Sequence, residues 1–232
     1  MRLFDSAPKA KLTLRVLAKL LAYPDAELRA HLPELAQALE AEGALGVGRR
    51  AELDALMATI AAADPLEAEA DYVELFDRGR ATSLHLFEHV HGDSRDRGPA
   101  MIDLAQTYAK AGLALADGEL PDYLPAVLEF VSTQPPREAR EFLAETAHIL
   151  NALFGALQRR GSRYASAVGA LLDLAGAKAE PVQPAPDEPL DASWSEPPAF
   201  DGCSARGQAR PAQPQPIHLV RKTPDANQGA QA

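Results

Sequence analysis

The chain has 232 residues, 47% of them hydrophobic, and a formal net charge of −10. That is enough apolar material for one sizeable core. The acidic balance argues against a nucleic-acid surface, which needs a basic footprint, and favours basic partners. A single cysteine, Cys203, excludes an intramolecular disulfide and points to the cytoplasm. Arg15 and Lys19 interrupt the N-terminal apolar stretch before it can serve as a secretion signal. No apolar run approaches the roughly 18–20 residues of a membrane span, so a soluble cytoplasmic protein is expected.

In chain order, Leu12, Val16 and Leu20, flanked by Leu17 and Leu21, form the stripe of a first helix that ends at Tyr23-Pro24. Asp25 is placed to cap a second helix with the inner face Leu28, Leu32, Leu35 and Leu39. Gly43, Gly46 and Gly48 precede a third helix carrying Leu53, Leu56, Met57 and Ile60. Asp64-Pro65 opens a fourth in the cap-then-proline order. Beyond Pro99, the run Met101, Leu104, Ala105, Tyr108 and Ala109 predicts another helix, starting at Pro99 or bending there. Leu124, Val127, Leu128 and Val131 mark a short buried helix, and Pro136 opens a long one reaching Gly161. Ser162 is placed to cap the last helix, with the stripe Tyr164, Val168, Leu171 and Leu172. The expected fold is all-α: a single bundle of about eight to ten helices over residues 1–176.

From Ala177 to Ala232 the composition changes to proline, alanine, glutamine and serine. Such a segment cannot bury enough apolar surface to offset its ordering entropy, so a largely disordered tail over residues 177–232 is expected. Three small apolar islands interrupt it, Trp194, Phe200 and Ile217-His218-Leu219-Val220, suited to a short latch that docks on the body.

The stretch Asp71–Gly98 concentrates the chemistry. Tyr72, Leu75 and Phe76 share one helix face, and Gly79 is placed to end that helix with a left-handed cap. A further helix starting after Thr82 or Ser83 would set His85, Glu88 and His89 on one polar face, with Leu86 and Val90 on another. The segment closes in a charged turn, where Glu88, His89, Asp93, Arg95 and Arg97 are expected to form a hydrogen-bonded cluster. His85, His89 and His91 would be the ligands of a helical metal-dependent hydrolase, the alternative function. Their spacing matches neither H-E-x-x-H nor a cysteine–histidine finger, and helical histidines beside glutamate and arginine more often pair with neighbours. No serine occupies a G-x-S-x-G elbow, and no glycine loop cradles phosphate. Spacing alone therefore points away from catalysis, metal and a resident cofactor.

The segments DYVELFDRGRATSLHLFEHVHGDSRDRG and ELPDYLPAVLEF, with LLAYPD at Leu20–Asp25, closely resemble the NarJ family of respiratory nitrate reductase assembly chaperones. That family lies within the TorD/DmsD group of redox-enzyme maturation proteins. Trp194, Phe200 and Pro216-Ile217-His218 are similar to its late landmarks. One departure is Pro121-Asp122-Tyr123, where the wider group usually reads Pro-Asp-His. The resemblance implies an all-helical binding protein and not a catalyst. Its implied client is the nitrate reductase α subunit, as apo-enzyme and through its N-terminal segment, held in the cytoplasm while the molybdenum cofactor is inserted. Cofactor-biosynthesis proteins are further implied partners, and direct membrane insertion is not. On these motifs the client groove is expected on or just above Tyr72, Phe76, Leu86, Val90, Asp122 and Tyr123. For the apolar members the alternative is core packing, and for Asp122 it is a helix cap.

Overall fold

The computed structural model describes residues 9–92, 94–116 and 118–180. Asp93, Trp194, Phe200 and the proline-rich segment beyond residue 180 lie outside the described residues. Within these, ten α-helices follow one another: α1 (Lys11–Leu21), α2 (Ala26–Glu42), α3 (Val47–Ala62), α4 (Pro65–Phe76), α5 (Leu86–Val90), α6 (Arg97–Lys110), α7 (Leu124–Thr133), α8 (Pro136–Glu145), α9 (Ala147–Arg159) and α10 (Ala165–Ala175). A 3-10 turn, Arg80–Thr82, joins α4 to α5. No strand occurs among the described residues, only an isolated antiparallel bridge between His85 and Tyr123.

Two helices form the centre. α1 packs chiefly against α7, and then against α2 and α10. α10 is buried on nearly every side, its small residues Ala167, Gly169 and Ala170 admitting α8, α9 and α3 close to its backbone. The core leucines Leu17, Leu20, Leu53, Leu128, Leu150 and Leu171 are fully enclosed. Leu12 is not among them: it is 43% exposed at the helix start, and Leu14 takes its place on the inner face.

Helix ends follow the sequence closely in the first half. The Asp25 carboxylate accepts the Leu28 amide at 2.8 Å, and Asp64 accepts those of Leu66 and Glu67 ahead of Pro65. α1 begins without a local side-chain cap. Glu42, the last residue of α2, supplies its carboxylate to the Leu12 and Thr13 amides instead. Arg29, in the first turns of α2, donates to the Ile60 and Ala63 carbonyls at the C-terminus of α3.

Four expectations are corrected. The long helix after Pro136 is divided at Thr146, whose hydroxyl donates back to the Phe142 and Leu143 carbonyls and draws the backbone out of regular pitch. Gly79 does not cap α4. It is extended (φ −147°), and α4 stops at Phe76 because the Thr82 hydroxyl and the Arg160 guanidinium satisfy the Leu75 carbonyl. A Cβ there would stand 2.7 Å from the Arg160 guanidinium, which would have to move aside. α6 starts at Arg97, and Pro99 sits in its first turn, where the missing N–H breaks no intrahelical hydrogen bond. Of the stripe proposed for that helix, Tyr108 alone is buried, its ring on Phe130 and its hydroxyl donating to the Pro121 carbonyl at 2.8 Å.

Candidate functional site

The site is the junction between the α4–α5 segment and the strand-like passage Pro121–Leu124. Its frame is backbone. The Leu124 amide donates to the Leu84 carbonyl at 2.8 Å, and the Leu86 amide donates to the Asp122 carbonyl at 3.0 Å. Between these bonds His85 faces Tyr123, with ring centroids 5.4 Å apart.

Asp122 is completely buried. One carboxylate oxygen accepts the Phe87 amide at 3.1 Å, the other accepts His85 Nδ1–H at 3.2 Å, and Arg97 stands 3.9 Å away. Asp122 is therefore a helix cap, but for α5 across the junction and not for the adjacent α7, which starts at Leu124 without a side-chain cap. Arg97 also reaches Glu88 at 3.4 Å, so a half-buried cation bridges the two carboxylates. The hydrogen bond to Asp122 raises the pKa of His85, more than burial lowers it.

On the other side of Tyr123 lies Tyr72. Its hydroxyl donates to the Leu21 carbonyl at 2.8 Å, at the end of α1, and shares a 3.1 Å hydrogen bond with the Tyr123 hydroxyl. Burial pushes both phenols above their ordinary value, so they stay neutral. The Tyr72 ring is packed among Tyr23, Phe76 and Tyr164. A continuous polar and aromatic path thus runs from the end of α1 to Arg97 at the start of α6.

The predicted residues divide clearly. Tyr72, Phe76, Leu86 and Asp122 are buried, Tyr123 is half-buried, and Val90 is 51% exposed. The junction brings Tyr72, Tyr123 and Asp122 together, while Val90 lies at the far end of α5. In the charged turn, Glu88 and Arg97 pair, and His89 Nε2 donates to the Ser83 carbonyl at 2.8 Å. Arg95 is exposed and has no ion-pair partner among the described residues.

The shared polar face of His85, Glu88 and His89 does not form. α5 starts at Leu86, and His85 precedes it in an extended conformation, because its backbone is committed to the bridge with Tyr123. His85 turns to Asp122, His89 to Ser83 and His91 to the Phe87 ring. No group of three or more His, Cys, Asp or Glu among the described residues is placed to hold a metal ion.

Several participants escape a reading by spacing. Arg80 donates to the Glu88 carbonyl from Nε and Nη2, both at 3.3 Å. Gly92, at φ +52°, passes so close to the Arg80 guanidinium that a Cβ would displace it. Tyr164 packs its ring edge on Phe76 at 5.1 Å from the turn before α10, far away in sequence. The Gly-Asp pair after His91 is the one local signal of such a turn.

No helix among the described residues is long and apolar enough to cross a membrane. The family described as nitrate reductase delta subunit matches residues 22–168. The chain is 44% identical over 193 residues to the nitrate reductase molybdenum cofactor assembly chaperone NarJ of Escherichia coli K12, covering 79% of this chain and 82% of that one. It is 45% identical over 168 residues to NarW of the same strain, covering 70% and 68%. Among solved structures, a candidate redox enzyme maturation protein from Archaeoglobus fulgidus shares the fold, with a TM-score of 0.53 at 20% identity over 74% of this chain and 96% of that one. On the extent of these matches, the chain belongs to the nitrate reductase delta subunit family, and with it to the assembly chaperones rather than to the enzymes.

Proposed function

We propose that this chain is the system-specific chaperone of a respiratory nitrate reductase. It binds the apo catalytic α subunit in the cytoplasm, partly through that subunit's N-terminal segment, promotes molybdenum cofactor insertion, and delays membrane docking until insertion is complete. The observation that carries this reading is the 44% identity to Escherichia coli NarJ over 79% of the chain. The junction supports it physically. Its groups are neutral phenols, a buried carboxylate committed to capping α5 and holding His85, and apolar rings, which suit packing and recognition.

In this reading the helical body, residues 1–176, carries recognition, and residues 177–232 are an appendage. The client helix is read where Tyr123 and Val90 reach the surface, over a floor of Tyr72, Phe76, Leu86 and Asp122. Glu88, His89, Asp93, Arg95 and Arg97 order the adjoining turn. An amphipathic helix laid on such a surface gains affinity from apolar anchors and specificity from charge. Cofactor-biosynthesis proteins are further partners, met while the client is held.

The test is capture from nitrate-respiring cells. The tagged full chain should retain the α subunit when cofactor synthesis is blocked, and should lose most of it when the client lacks its N-terminal segment. Equal recovery of cofactor-loaded and apo α subunit would remove the chaperone reading.

A further inference from the structure

The first helix runs against the charge of the chain. In a protein of net charge −10, the stretch between Asp5 and Asp25 holds four cations, Lys9, Lys11, Arg15 and Lys19, and no carboxylate. Lys11, Arg15 and Lys19 recur at i, i+4 and i+8 along the exposed edge of α1. Two of the four are answered from α7: Lys19 by Glu129 at 3.7 Å, and Arg15 by the Ser132 hydroxyl, to which it donates at 3.2 Å. Lys9 and Lys11, at the start of α1, have no ion-pair partner among the described residues.

These two lysines line a cleft of about 370 Å³ between α1, α7, α8 and α10. Leu14, Val131, Leu143 and Leu174 are its apolar floor, and the exposed Leu12 is one wall. Arg140 of α8 adds a third positive charge. Glu42 is the one carboxylate lining the cleft among the described residues, and its two oxygens are taken by the Leu12 and Thr13 amides. The cleft is thus apolar within and net basic at its rim, which repels a basic partner and draws an acidic one. Its volume lies near the lower end of ligand pockets, roughly 300–1,000 Å³, room for one or two anchoring side chains. Leu12 stands roughly 14 Å along the helix axis from Leu21, where the junction begins, so the two sites occupy opposite ends of α1.

We propose that the cleft at the start of α1 is a docking site for an acidic segment of a partner protein that carries one or two large apolar side chains. The apolar anchors enter between Leu12 and Leu143, and the flanking carboxylates meet Lys9 and Lys11. The site is separate from the junction and does not depend on which client the junction reads. A contact this small is transient and sensitive to salt.

The probe is a short labelled peptide with a central Leu-Trp pair flanked on each side by Asp and Glu, titrated into the full chain by fluorescence anisotropy. One control peptide replaces the acids by Asn and Gln, and another replaces Leu-Trp by Ser-Ser. Saturable binding of the acidic apolar peptide alone is expected, weakening with salt and shifting the amides of residues 11–14 and 131–134 by NMR. The Lys9→Glu/Lys11→Glu variant should bind roughly tenfold more weakly at an unchanged melting temperature, because both side chains are exposed and unpaired. Lys110→Glu/Arg159→Glu makes the same change of net charge at positions that do not line the cleft, and should bind as the native chain does. No saturable binding, equal affinity for either control peptide, or equal loss in the two double variants would overturn the proposal. So would a tenfold gain in affinity in Leu3→Ser/Phe4→Ser, which would make the residues preceding Lys9 the occupant.

Discussion

The carboxylate of Asp122 accepts the backbone amide of Phe87 at 3.1 Å, capping a helix that lies 35 positions earlier in the chain. With the Leu86 amide on the Asp122 carbonyl, one residue satisfies two of the orphan donors at the start of α5. α5 has only five residues, too few to hold itself in water, so its position depends on that cap.

Asp122→Ala should therefore cost far more than an exposed cap. It strands the Phe87 amide, His85 and Arg97 around a buried gap, and breaking such a group costs about 3–5 kcal/mol. Asp122→Asn keeps an acceptor and should lose less. Urea denaturation followed by far-UV circular dichroism ranks the two, and a loss under ~1 kcal/mol for Asp122→Ala would show that the cap is solvated.

Tyr72→Phe removes the donor to the Leu21 carbonyl and the acceptor of the Tyr123 hydroxyl while leaving the ring packing intact. The expected cost is about 1–3 kcal/mol, the penalty for an unsatisfied buried group. Tyr123→Phe should cost less, since its hydroxyl touches only Tyr72. Combined, the two should be non-additive; additivity in a double-mutant cycle would separate them.

His85 gives the junction a pH dependence. Its folded pKa is raised above the ordinary 6.5 by Asp122, so the folded state binds its proton more tightly than the unfolded state does. The stability this adds is fully present below 6.5 and is lost as pH rises through the folded value. His85→Gln should flatten the stability profile in that window. Because His85 is partly exposed, the effect is small, about 1 kcal/mol or less. An unchanged profile would assign the titration elsewhere.

Gly92→Ala places a Cβ in a left-handed conformation and into the Arg80 guanidinium. Arg80 must then release the Glu88 carbonyl, and a loss of roughly 1–2 kcal/mol is expected. Arg80→Ala should relieve most of the added cost in the double variant, and failure to do so would locate the strain in the backbone alone.

Removing residues 181–232 should leave the helical body folded. Its buried core ends at Ala175, and Ala177 and Ala179 complete the packing before Glu180 donates to Asn151. Differential scanning calorimetry of the truncated chain should show an unchanged melting temperature. A large drop would make the tail part of the fold.

Sequence periodicity made the helical body legible where helices are long and packed by one stripe, as in α2 and α3. Local capping chemistry located Asp25 and Asp64 for the same reason: donor and acceptor are neighbours in the chain. The junction was legible only as a resemblance. The partners of Asp122 lie at Phe87, His85 and Arg97, and no local pattern announces a bond across so many positions. His85 and His89 looked like one face because their spacing is helical, yet the bridge to Tyr123 takes His85 out of the helix. α6 misled in the opposite way, periodic in sequence but packed by little more than Tyr108.

The measurement that tests the central claim most directly is a calorimetric titration of the apo nitrate reductase α subunit into the full chain, repeated with cofactor-loaded subunit. One-site binding to the apo form is predicted, at least about tenfold tighter than to the loaded form, a difference of roughly 1.4 kcal/mol. No heat of binding to the apo subunit, or equal affinity for both forms, would contradict it.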